Sequence, residues 1–439
     1  IMATNRRKFL ASAFVTGLGA GLPSASGAAS KFKNQYQNNL DSTYKKLDEI
    51  LNQPVFKKEL FSSPVIIESM ELLRDRENFM FRVRSKDGAE GISVGHTGLN
   101  PTGGGGQSVK NWPVYKGFIE SLLGKDARDL DAMIPGDNGK GGGVPYNIAL
   151  ATVEIAILDM LGNTIKKPIG ALIGEIHNPM LTVYQGSRMP ELLSLPVEQS
   201  LEIVKKDLLE TKAKAIKMRV GLQGELDKDS KAGNEKLIRA ARKMFGDKMV
   251  LGCDGNNKFT AAGGIRMGKI LEEYNYSWWE EMVPFGWYDE LKQVKDGLKI
   301  PVSTGESEAH ISTFRWLIAH DACDIVPPDQ LCFGGMIRSK KVARMAAAFG
   351  KTICPHITQY GLGYIYMLHL VSACTNPYKY QEFDTFSTRD ANGNLIPIVY
   401  KSGDPIISYD GVLNVPTGPG LGIIIDPDYV KKHKVVKDW

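Results

Sequence analysis

Cysteine is scarce here, and what there is does not pair by pattern. The five cysteines, at 253, 323, 332, 354 and 374, are odd in number and include no CxxC. Neither a disulfide framework nor a zinc site is therefore indicated. Several lie in apolar runs, where a free thiol acts as a small buried hydrophobe. An excess of one charge is missing too. Fifty-four Lys and Arg against 49 Asp and Glu leave a net charge of only +5, with the bases dispersed among acids. That speaks against nucleic acid as a partner, although mild basicity helps draw in an anionic substrate. Beyond the N-terminus no stretch reads as a membrane-spanning helix. The glycine-rich loop Asn100–Gln107 lacks the Lys-Ser/Thr ending of a P-loop and the spacing of a dinucleotide fingerprint, so it reads as a lid or a plain connection.

No acid precedes Asp41, and the first residues carry Asn5-Arg6-Arg7-Lys8-Phe9-Leu10, then a weakly apolar, Gly-rich run and small residues to Ala29. Residues 1–29 thus resemble a twin-arginine export signal, an address and not an anchor, which predicts a periplasmic protein with no membrane anchoring once the signal is removed. Residues 30–60 read as a polar, partly helical extension. Residues 61–145 hold three short alternating strands, Val65–Leu73, Phe79–Arg84 and Gly91–Val94, followed by helical segments at Val114–Leu123 and Asp126–Ile134. This is an α+β unit.

From residue 146 to 384 the rhythm becomes strand, helix, strand. Eight candidate strands end near Gln185, Arg219, Asn256, Glu281, Glu306, Asp329, His356 and Glu382. Eight strands with intervening helices are the count of a β/α barrel, whose strand ends converge on one face and carry the chemistry. Residues 385–439 read as short strands and turns returning to the N-terminal sheet. At 439 residues the chain exceeds one small core.

Within the barrel stretch, Asp254, Glu280 and Glu306 stand 26 residues apart (280 − 254 and 306 − 280), each closing a short apolar run. Singly, such acids are ordinary loop residues. Brought together at one mouth they would repel one another unless a hard cation neutralised them, and oxygen ligands suit Mg²⁺. Lys217 and Arg219 share one strand face at i and i+2. Asp329 and His356 end neighbouring strands, where a carboxylate can fix the tautomer of an imidazole base. Glu382 adds an acid able to donate a proton or hydrogen bond to a developing oxyanion.

These motifs together resemble the enolase superfamily in its mandelate racemase-like branch: Lys217-x-Arg219, Asp254-Gly-Asn256, Trp279-Glu280-Glu281, Gly305-Glu306, Pro328-Asp329, His356 and Glu382. The resemblance runs from about residue 64 to the C-terminus. It implies a (β/α)7β modified TIM barrel under an α+β capping domain built from both termini. It also implies Mg²⁺ on Asp254, Glu280 and Glu306, a catalytic dyad of Asp329 and His356, Glu382 near the substrate carboxylate, and Asn256 facing the substrate. Glu281 is not expected to bind the ion. Relatives commonly form symmetric homo-oligomers.

Such enzymes remove the proton α to a carboxylate, leaving an enediolate that needs stabilisation. Where the branch often has Lys-x-Lys, this chain has Arg219, a poor general base because guanidinium stays protonated. Racemisation needs a base on each face of the carbon. Dehydration of a sugar acid needs only His356, with Lys217 and Arg219 holding the carboxylate and enediolate. The expectation is a Mg-dependent acid-sugar dehydratase, with Lys217 as a second base left open. A racemase, epimerase or cycloisomerase on a hydroxy or anhydro-sugar acid is the alternative, and an exported sugar-acid-binding protein without catalysis a further one. Specificity is expected in the loops His96–Gly106 and Tyr184–Arg188, with Gln185 a substrate contact.

Overall fold

The computed structural model describes residues 25–75, 78–94, 112–134, 143–186, 194–221, 225–229, 233–358, 361–383 and 410–437. The twin-arginine motif, the loops at 95–111 and 187–193, and residues 384–409 lie outside the described residues. Two compact units form, 1–46 and 47–439. Helix α1 (Ala25–Leu51) carries the described part of the first.

In the second unit an antiparallel meander comes first: β1 (Ile67–Asp75), β2 (Asn78–Ser85) and β3 (Glu90–Ser93). The C-terminal strand β13 (Lys434–Val435) adds to its edge, pairing Val435 with Leu73. One sheet is therefore built from both ends of the chain. Helix α2 (Trp112–Leu122) follows the meander. The stretch expected to be helical from Asp126 to Ile134 breaks into a 3-10 turn, Ala127–Asp129, and the single turn α3 (Leu130–Met133). Asp126 there caps with its own side chain, accepting from the Arg128 amide, an alternative to a regular helix start.

Helix α4 (Gly143–Ile165) is apolar almost all round, and Ile155, Ala156, Ile157 and Leu158 are each fully buried. Contrary to the sequence reading, Tyr146–Ile165 is long and apolar enough to cross a membrane. Its burial inside the fold marks it as a core helix, which needs apolar residues on every side. It packs beneath the meander and against the barrel helices. Truncating Leu158 to Ala would cost about 2–5 kcal/mol. The short α5 (Ile169–Ile173) leads into the barrel.

The barrel strands are β4 (Met180–Gly186), β5 (Ala215–Arg219), β6 (Val250–Asp254), β7 (Trp278–Glu280), β8 (Val302–Ser303), β9 (Ile325–Val326), β10 (Thr352–Ile353) and β11 (Gln381–Phe383). They pair in parallel in the order β10-β9-β8-β7-β6-β5-β4-β11. An isolated parallel bridge from Ile353 to Pro377 draws the two ends together. One helix follows each of the first seven strands: α6 (Val197–Thr211), α7 (Asn234–Phe245), α8 (Ala261–Glu273), α9 (Tyr288–Gly297), α10 (Ile311–Ala319), α11 (Met336–Ala348) and α12 (Leu362–Ser372). This is the (β/α)7β barrel with its cap. The outer helices follow the usual logic where they face water: in α6, Val197, Leu201 and Val204 are buried while Glu198, Glu202 and Lys205 are exposed, whereas α12 is buried along its whole length. After β11, β12 (Val412–Asn414) pairs antiparallel with β4, and α13 (Pro427–Lys432) precedes β13.

A layer of Tyr184, Ala215, Trp278, Ile325, Cys354 and Tyr380 fills the barrel interior. Gly252 makes room for it: a Cβ there would stand 2.1 Å from the Trp278 ring. The polar mouth lies above this plug.

Candidate active site

Strand register assembles the mouth. Arg219 pairs with Asp254 and Asp254 with Glu280, so three charged side chains come abreast on neighbouring strands. Lys217 lies two residues below Arg219 on the same face. Glu306, Asp329 and His356 are each three residues beyond the observed ends of β8, β9 and β10, where the sequence reading placed them at the strand ends. For Asp329 and His356 the cause is local. Pro327 and Pro328 follow β9 and Pro355 follows β10, and proline cannot donate to a ladder.

One oxygen each from Asp254, Glu280 and Glu306 lies within 4.8 Å of the others, and all three residues are buried. Lys217 reaches into the group from below. Its Nζ is 2.6 Å from Glu280 Oε1, 3.5 Å from Glu382 Oε1 and 3.8 Å from Asp254 Oδ2. Arg219 is 3.1 Å from Asp254 Oδ2. Burial would lower the Lys217 ammonium's affinity for its proton, but Glu280 and Glu382 outweigh burial and raise it well above the ordinary range. Lys217 is therefore held as a cation. Burial pushes Glu280 up to about 7 despite Lys217, with Asp254 and Glu306 adding to the rise.

Across the mouth, Asp329 is saturated. Its Oδ1 accepts from the amides of Leu331 and Cys332, both at 2.9 Å, and its Oδ2 from that of Thr358 at 2.9 Å. His356 Nδ1 stands 3.1 Å from the same Oδ2. A carboxylate that accepts these amides can only accept, so Nδ1 carries a proton, and in the neutral ring Nε2 carries the lone pair. Nε2 is 3.5 Å from Glu306 Oε2, facing the acid cluster. Burial alone would depress the imidazole; with no cation on the acids, the charges of Glu306 and Glu382 and the Asp329 bond reverse this and lift it to about 10, so Nε2 becomes a free base only once those charges are neutralised. Burial would raise Asp329, and the His356 bond together with the amides holds it below the usual carboxylate range. Glu382 Oε2 accepts from the Ile357 amide at 3.1 Å while Oε1 faces Lys217. It serves here as an acceptor.

Asn256 is half-buried beside the cluster, its amide donating to Asp254 Oδ1 at 2.7 Å. Gln185 departs from its expected place. Tyr184 faces the interior, under the Lys217 ammonium at 5.5 Å, so strand alternation turns Gln185 to the other side. Its side-chain amide bonds the Gly186 carbonyl. The structure thus brings together all the expected site residues except Gln185. The sequence reading missed the partner of Glu281: its Oε2 accepts from Asn257 Nδ2 at 2.7 Å. This bond ties the loop after β6 to the loop after β7, where Asn256, Asn257 and Glu281 all have positive φ. The Asn-Asn pair was the available signal, since asparagine tolerates that region.

Residues 201–429 match the family model for the enolase C-terminal domain-like family. The chain belongs to this family. Within the enolase superfamily its affinity is with the mandelate racemase-like branch. Among curated relatives, the L-talarate/galactarate dehydratase of Salmonella typhimurium is 29% identical over 62% of this chain and 66% of that enzyme. The D-galactarolactone cycloisomerase of Agrobacterium fabrum is 26% identical over 75% of this chain and 86% of that one. A solved mandelate racemase/muconate lactonizing protein from Paracoccus denitrificans, complexed with magnesium, superposes with a TM-score of 0.72 at 26% identity, covering 85% of this chain and 99% of that one.

The acid cluster fits a divalent cation on its own geometry. Asp254 Oδ2, which faces the Arg219 guanidinium at 3.1 Å, and Glu306 Oε2, 3.5 Å from His356 Nε2, are buried oxygens that accept no well-aligned hydrogen bond. Such oxygens are expensive to bury unless another partner takes them, and an all-carboxylate set is the donor chemistry of a hard ion.

Proposed function

We propose that this protein is a Mg²⁺-dependent acid-sugar dehydratase, with Asp254, Glu280 and Glu306 holding the ion and His356 acting as the base. The bound ion would stabilise the negative charge that develops on the substrate carboxylate as the α-proton leaves. His356 Nε2 takes the proton from C2, and Asp329 keeps the imidazole in the required tautomer and stabilises its charged form. The electron pair released at C2 forms the C2=C3 bond as the C3–O bond breaks. His356 returns its proton to the departing hydroxyl, water leaves, and the enol tautomerises to a 2-keto acid. Lys217 and Arg219 supply fixed positive charge on the opposite side of the mouth. Glu382 holds Lys217 and the loop amide of Ile357 in place, and Asn256 meets the substrate.

The observation that carries this reading is the direction of His356: locked through Nδ1 by Asp329, it presents Nε2 to the acid cluster. The names of the relatives, a dehydratase and a cycloisomerase acting on sugar acids, support the substrate class and supply the second reading, cycloisomerisation of a sugar-acid lactone. A panel of aldonic and aldaric acids and their lactones, incubated with Mg²⁺ in deuterated water, separates the two. Release of 2-keto acid supports dehydration. Deuterium at C2 without loss of water moves the assignment to an isomerase, and inertness across the panel with no exchange removes both.

We also read residues 1–29 as a twin-arginine export address to the periplasm. Replacing Arg6 and Arg7 together by Lys should strand the protein in the cytoplasm, and unchanged export would refute this.

A further inference from the structure

A cavity of about 470 Å³ opens outward from the acid cluster, between the loops that follow β5, β6, β7 and β8. Its inner end is Glu306 with Asn256 and Ser307, and its walls include Leu226, Phe285 and Lys258. It is large enough for a small polyhydroxylated acid.

Among the described residues that line it, Lys258 is the one cation. The residue is half-buried, and among the described residues no carboxylate pairs with it. The acid beside it is committed elsewhere: Asp227 accepts from the amide of Thr260 at 3.0 Å and from its hydroxyl at 2.6 Å. The Lys258 backbone is fixed, its amide donating to the Gly255 carbonyl and its carbonyl accepting from the Asp227 amide. Leu226 and Phe285, both exposed, give the same cavity apolar side chains at its outer part. A half-buried ammonium without a counter-charge favours an anion. Glu306 at the inner end belongs to the reacting centre, so an anion at Lys258 would sit at the far end of the same ligand.

We propose that Lys258 is the docking cation for a second carboxylate of the substrate, remote from the one that reacts, and that it selects diacids over monoacids. This rests on the reading of the mouth as a sugar-acid site and adds the chemistry of the distal end.

The test pairs a hexaric acid with the hexonic acid of the same configuration, both with Mg²⁺, on the full chain and on Lys258→Met and Lys258→Arg. Turnover is followed as 2-keto acid and binding by calorimetry. The expected result is a hexarate preference in kcat/KM that falls at least about 10-fold in Lys258→Met, through KM and Kd, and is largely kept in Lys258→Arg. A hexarate-to-hexonate ratio that Lys258→Met leaves unchanged, or a wild-type preference for the monoacid, overturns the proposal while the dehydratase reading stands. If neither acid is converted, the dehydratase reading fails and binding alone decides the distal site. Hexarate binding weakened by Lys258→Met then upholds it; equal binding, or no saturable binding of either acid, overturns it.

Discussion

The two sides of the barrel mouth handle buried carboxylates in opposite ways. On one side Asp329 has every oxygen engaged: three backbone amides and an imidazole surround it. On the other, Asp254 and Glu306 each keep a buried oxygen that accepts no well-aligned hydrogen bond, packed close to a third acid. The first arrangement fixes a side chain in one orientation. The second crowds three acids together; Lys217 and Arg219 offset part of their charge, and a divalent cation would offset more. Orientation and unmet charge are different provisions, made a few ångströms apart.

Breaking the ordered side should have the largest effect. His356→Asn is expected to lower kcat for 2-keto acid formation by about 10⁴-fold or more while leaving Mg²⁺ binding, measured by calorimetry, close to that of the parent. Near-normal turnover would remove the mechanism. On the unsatisfied side, Glu306→Gln should weaken Mg²⁺ binding by at least about 100-fold, since even groups one step removed from a metal cost 10–100-fold. The same variant sharpens the contrast in a second way. Its melting temperature without divalent ions should equal or exceed that of the parent, because one of three crowded charges is gone. The parent alone should gain roughly 2.7 kcal/mol at a Mg²⁺ concentration 100 times its Kd. Asp329→Asn, which keeps the size but disturbs the tautomer, should reduce kcat by about 10²-fold with KM and Mg²⁺ affinity little changed.

The smallest expected effect extends the comparison to α4. Burial raises Asp159 to about 7 and Glu154 to about 8, although each accepts two backbone amides. Both are raised above their unfolded values, so the folded state holds more protons than the unfolded one between about pH 4 and pH 8. Their contribution is complete below pH 4 and is lost as pH rises through 7 and then 8. Urea unfolding should therefore show stability declining steadily from pH 5 to pH 8. Asp159→Asn should flatten part of that slope.

Much of this was legible beforehand. The equal spacing of Asp254, Glu280 and Glu306 after apolar runs announced strand ends at one mouth, because a repeating strand-helix unit returns each strand to the same level. Lys217 and Arg219 could be placed on one face by alternation alone. Alternation also shows why Gln185 was misplaced. Choosing the last polar residue of β4 ignored that its neighbour Tyr184 already faces the interior. The three-residue offsets of Asp329 and His356 depend on where prolines stop pairing, which the sequence displays but hydrophobic pattern does not weigh. The Asn257–Glu281 bond joins two loops whose relative position exists only once the barrel has closed.

Asp159 carries a consequence for how the chain is made. Its two oxygens take the amides of Ile92 and Leu421, residues 67 positions before it and 262 after it. A Cβ at position 420 would stand 2.0 Å from the same carboxylate, and Gly420 has φ +61°, so the late segment must arrive there as glycine. A nascent polypeptide emerging from the ribosome can complete most barrel units in order, yet it cannot satisfy this acid until its final stretch is free. A stop codon a few dozen codons early would leave the barrel strands intact and the lid sheet without its edge strand and its latch.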